Sequence, residues 1–160
     1  MERDKIKSLI QEAINEEKDK VIQHFRYLLK YPFHPDTTFI LLEIRGDRGI
    51  FGVTITPMNG WGRLLSIDAY GGDPELGFGF HAYEKLEQEL PPEEFEELVE
   101  DDELVGDMDD YVKEYLLPFF QECFDQAGGK NSKLPYYLFY PYSGDAYDLL
   151  TERWIDSSIE

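Results

Sequence analysis

Few residues in this chain have the types and spacing that chemistry needs. Gly77-Phe78-Gly79-Phe80-His81-Ala82 fits the G-x-G-x-x-G/A pattern, in which glycines let the backbone approach a pyrophosphate at a helix N-terminus. Its context argues against that use. The preceding strands read as a hairpin meander rather than a βαβ unit, and the segment that follows is the most anionic in the chain. The expectation here is an aromatic-glycine loop that packs its two phenylalanines.

Metal and nucleophile chemistry fare no better. His24, His34 and His81 fall in different elements, and none forms the H-x-x-x-H pairing that sets two imidazoles on one helix face. His81 and Glu84 share a helical face only as a half-site. Asp101 to Gly106 begins like a calcium loop, but its fifth position is Val105 and its twelfth is Val112, where oxygen ligands are required. Cys123 sits among Phe119, Phe120 and Phe124 and reads as a buried structural thiol. Asp68, Asp73 and His81 could meet only through tertiary folding, as a carboxylate–imidazole group for acid–base work. No catalytic residue, metal ligand or cofactor is therefore assigned.

What does stand out is charge. The 160 residues include 34 Asp and Glu against 15 Lys and Arg, a net charge of -19. Leu86 to Val112 alone holds 13 acidic residues and no Lys or Arg. A polyanion is bound by Lys and Arg that displace its counterions, so this balance excludes direct nucleic-acid binding and docking on anionic membrane. The same charge either forms a solvated face that keeps the chain in solution or attracts basic protein partners, with salt-dependent encounter. Glu93, Glu94, Glu97, Glu100, Asp101 and Asp102 are the expected contacts, because helical periodicity puts most of them away from Phe95, Leu98 and Val99. Tyr111 and Tyr115 would anchor such a contact if exposed.

The elements that must position these residues follow from periodicity and breakers. The apolar spacing from Asp4 to Leu29 predicts one long amphipathic helix, stopped before Pro32 and Pro35. Thr38 to Arg45 and Ile50 to Thr56 read as a hairpin around Gly46-Asp47-Arg48-Gly49. Arg63 to Tyr70, after the turn Asn59-Gly60-Trp61-Gly62, completes a three-stranded antiparallel meander. A glycine loop from Gly71-Gly72-Asp73-Pro74 through Phe80 precedes a short helix over His81 to Leu90.

Pro91-Pro92 then opens an acidic helix that should end at Gly106. Asp107 with Asp110 should cap a second one, kinked at Pro118 and stopped at Gly128-Gly129. Leu134 to Tyr142 is a fourth strand, and Asp145 to Trp154 a closing C-terminal helix. The sum is an α+β chain, one domain over residues 1–160, with one sheet and helices packed on it.

Composition agrees with a packed core: 42% of residues are hydrophobic, among them 11 Phe, 11 Tyr and 2 Trp. The charged start is unlike a secretory signal, and no segment has the apolar length of a membrane span, so a cytoplasmic location is expected. The functional expectation is a non-enzymatic acidic protein that docks on a basic one, as immunity or inhibitor proteins do against nuclease-like toxins. The alternative is an enzyme or small-ligand binder with its site at Gly71 to Ala82.

Overall fold

The computed structural model describes residues 3–60, 63–64, 77–140 and 144–156. Two helices come first, α1 (Arg3–Asn15) and α2 (Lys18–Lys30), where the apolar spacing predicts one. Ile14 and Val21 are seven residues apart, so the stripe keeps its phase across the break and hides it. The hexad from Asn15 to Lys20 holds no apolar residue to bury, and the helix opens there at Glu16 and Glu17. Tyr31 is extended (φ -67, ψ 135), as the residue before Pro32 must be.

Strands β1 (Phe39–Asp47) and β2 (Ile50–Gly60) pair antiparallel through a two-residue loop, Arg48-Gly49. Both loop residues have positive φ, 50 and 82, the twist that tight hairpins require and that glycine supplies without strain. Leu42 faces Ile55 and Ile44 faces Val53 across the pair, and these side chains meet the helices. Phe39, Leu41 and Met58 form a second buried cluster, with Tyr137 and Phe139 packed against it. Apolar burial of both β1 faces explains its nearly unbroken apolar run.

Of the third predicted strand only β3 (Arg63–Leu64) is described, paired with the end of β2. The rest of it, with the turn at Trp61-Gly62 and the loop from Gly71 to Pro74, lies outside the described residues. The glycine-aromatic segment is a strand rather than a loop: β4 (Phe78–His81) pairs with Ile50–Val53 of β2. Its alternation decides this, because Phe78 and Phe80 both turn inward and meet the Phe120 ring edge-on at 6.1 and 6.3 Å.

Helices α3 (Glu84–Glu89), α4 (Pro92–Glu100) and α5 (Asp102–Gln126) follow. The acidic helix ends at Asp101, not at Gly106, and Asp101 rather than Asp107 caps the next one by accepting the Leu104 N–H at 3.1 Å. Gly106 sits inside α5 with nothing near its missing side chain. An exposed glycine costs a helix only about 1 kcal/mol, and Val105, Met108 and Val112 bury enough apolar surface to carry it. The helix continues through Pro118 and stops before Gly128, whose φ is 91.

β5 (Tyr136–Phe139) pairs with β1 in parallel, so the sheet is mixed. The predicted C-terminal helix is instead a hairpin, β6 (Asp145–Asp148) and β7 (Arg153–Asp156). Here the four-residue turn wins over the helical spacing: the Asp148 carboxylate accepts the Leu150 N–H at 2.8 Å, and Glu152 takes φ 57. The sheet runs β3-β2-β1-β5-β6-β7, with β4 beside β3 on the same edge of β2. Among the described residues, five helices and this mixed sheet share one core, in which Phe25, Phe120, Phe124 and Tyr136 interlock. No helix among the described residues is long and apolar enough to cross a membrane.

Candidate partner-binding site

Helix α4 starts at Pro92, where a missing N–H costs nothing, and Glu93 and Glu94 lie against the positive end of its dipole. Leu98 is its buried anchor, and Phe95 and Val99 are half-buried. All six predicted contact residues are exposed, but the structure gives them three different settings.

Glu94, Glu97 and Asp101 line a groove of about 480 Å³ floored by Ile6, Leu90, Leu98 and Leu104. Glu93 and Glu100 are absent from that lining. Asp102 is already paired, its carboxylate 3.1 Å from an Arg48 guanidinium nitrogen. Among the described residues, Glu93, Glu94, Glu97 and Glu100 take part in no ion pair.

Arg48, at the tip of the hairpin, pins the α4–α5 junction. Its guanidinium also donates to the Val99 carbonyl at 3.0 Å. The backbone beneath it is held by Asp109, only 7% exposed, which accepts the Arg48 N–H at 2.7 Å, the Gly49 N–H at 3.2 Å and the Tyr83 hydroxyl at 2.7 Å. Burial, then the bond to Asp109, pushes the Tyr83 hydroxyl well above the usual phenol range. Three donors make this buried carboxylate tolerable.

Helix α1 braces the other side. Arg3 reaches Asp107 at 2.6 Å, and that hydrogen bond raises its pKa. Gln11 donates to the Tyr111 hydroxyl, Lys7 lies 5.1 Å from the centre of the same ring, and Tyr115 donates to Asn15 at 2.8 Å. The two tyrosines are thus half-buried parts of the α1–α5 seam rather than exposed anchors. Sequence reasoning missed Arg48, Asp109 and the α1 wall. Asp109 looks like any other member of the acidic run, and two of its three partners lie about sixty residues away in a turn, the third being Tyr83.

The remaining candidates do not come together. Asp68 and Asp73 lie outside the described residues, and His81 Nδ1 lies 4.0 Å from Glu87 Oε2. The G-x-G-x-x-A residues run along a strand, so their amides serve β2 instead of a phosphate. The cavity beside them, between α2 and β4, holds about 140 Å³, below the ~300 Å³ at which small-molecule sites begin. A wider cleft of about 660 Å³ lies between the end of α2 and the α5–β5 connection, but its Ser132 hydroxyl is spent on Leu134.

Asp102 to Gly106 are the first turns of α5, so their carboxylates fan outward instead of converging. Among the described residues no three Asp, Glu, His or Cys side chains are grouped to hold a metal ion. Cys123 is buried, and burial pushes its thiol up to about 12.

No protein-family model, curated protein or solved structure matches this chain.

Proposed function

We propose that this chain is a non-enzymatic, cytoplasmic, acidic binding protein that docks α4 and the start of α5 on a basic protein, in the manner of an immunity or inhibitor protein that neutralises a nuclease-like toxin. One observation carries the reading: Glu93, Glu94, Glu97 and Glu100 project from a single pinned helix with no cation paired to any of them among the described residues. Like charges three and four residues apart repel, each pair costing the helix a few tenths of a kcal/mol. A cationic partner turns that cost into attraction. Because Arg48 holds the C-terminal end of α4 and the α1 seam holds α5, little ordering remains to oppose association.

The test is affinity capture from the native host's lysate at low salt, with elution by raised salt. A basic protein should be recovered near stoichiometrically and lost when Glu93, Glu94, Glu97 and Glu100 are all changed to Gln. Recovery of nothing specific, or of the same proteins with the neutralised variant, sinks the reading.

A further inference from the structure

The groove beside α4 says what kind of basic surface fits, an inference that rests on the docking role just proposed. Glu94, Glu97, Leu98 and Asp101 stand at i, i+3, i+4 and i+7, the positions that share one face of a helix. Two carboxylates and a capping aspartate therefore surround an apolar floor, completed by Ile6, Leu90 and the half-buried Leu104. The Arg3–Asp107 pair ties α1, which supplies Ile6, to α5, which supplies Leu104, and Arg48 holds the α4–α5 junction.

Neither a purely cationic nor a purely apolar ligand suits this lining. A polycation would lay hydrated ammonium groups over hydrocarbon, and an apolar group would desolvate Glu94 and Glu97 with no cation to pair them. A second copy of this chain would bring the same negative face, and nucleic acid or an anionic bilayer would meet a net charge of -19. A volume of about 480 Å³ also exceeds what one long side chain fills and falls within the usual range of concave sites.

We infer that the groove receives one turn of a basic amphipathic helix of the partner protein, with an apolar side chain seated on Leu98 and Leu104 and flanking Lys or Arg side chains reaching Glu94, Glu97 and Asp101. This is helix-in-groove recognition with an acidic rim.

Three labelled peptides of about 15 residues test it at low salt by fluorescence anisotropy: one with Leu and Lys at helical spacing, one of identical composition scrambled to destroy that spacing, and oligolysine of equal charge. Methyl NMR of Leu98 and Leu104 reports where each binds. Two variants remove equal charge, Glu94→Gln/Glu97→Gln/Asp101→Asn, which keeps a capping side chain at 101, and Glu12→Gln/Glu89→Gln/Glu114→Gln, three exposed carboxylates outside the proposed contacts.

The amphipathic peptide should bind about tenfold tighter than either control and shift both methyl signals. The first variant should weaken it about tenfold and the second less than about threefold. Equal binding by all three peptides overturns the groove and leaves the acidic surface standing as a docking face. Failure of every peptide to bind overturns both.

Discussion

Truncating Asp109 would strand two amides and a hydroxyl in a site only 7% exposed. Asp109→Ala should therefore cost about 3 kcal/mol, and Asp109→Asn about 1.5–2 kcal/mol because one acceptor oxygen survives. Urea unfolding measures both, and a cost below about 1 kcal/mol for the alanine variant would remove Asp109 from the hairpin's support. Cys123 offers a pH-dependent check. Burial raises its pKa from 9.0 to about 12, so the folded state favours the neutral thiol. A raised acid pKa contributes stability that is intact below the unfolded value and lost as pH climbs through the folded one. The denaturant midpoint should fall between pH 9 and pH 12, with the buried phenols of Tyr83, Tyr136 and Tyr140, also raised by burial, adding to the loss from about pH 10. At pH 8 a thiol reagent should modify Cys123 at least about a hundredfold faster in denaturant than in buffer. Equal rates would place the sulfur at the surface.

At the scale of elements, two glycines should respond in opposite directions. Gly106→Ala fills open space inside α5 and should stabilise by about 0.5–1 kcal/mol. Gly128→Ala forces a side chain onto φ 91 and should destabilise by about 1 kcal/mol. If Gly106→Ala were the costly change, the helix would stop there after all. Local chemistry made much of the fold legible: the Pro32 stop, the hairpin around Arg48-Gly49, the Pro92 helix start, and the apolar runs of β1 and β5 are all decided within a few residues. The failures share a different cause. The break after Asn15 preserves the apolar phase, Gly106 is carried by packing on both sides, and Asp145 to Trp154 suits periods of 2 and 3.6 equally until Asp148 closes its turn. The candidate site divides the same way. Exposure of the six carboxylates followed from helical spacing, but which ones line a groove and which one is paired depends on α1 and on Arg48, more than fifty residues away from Asp102.

For the whole molecule, repulsion is the general term. With a net charge of -19, self-repulsion opposes the compact state and salt screens it. Raising NaCl from about 10 mM to about 0.5 M should lift Tm by roughly 3–6 °C, or about 1–1.5 kcal/mol for a chain of this size. A falling Tm would mean that exposed pairs such as Lys18–Glu122 and Lys85–Glu16 outweigh the repulsion. Connectivity acts at this scale too, through time. β1 lies between β2 and β5, and its Phe39-Ile40-Leu41-Leu42 run is apolar and buried at every position. β2 can cover one edge almost at once, but the other waits for Tyr136 to Phe139. At ribosomal speeds of ~5–20 residues per second, that delay is roughly 5–20 s. Each newly made copy thus spends its first seconds with an open, greasy strand edge, and chaperones should find their hold on it there.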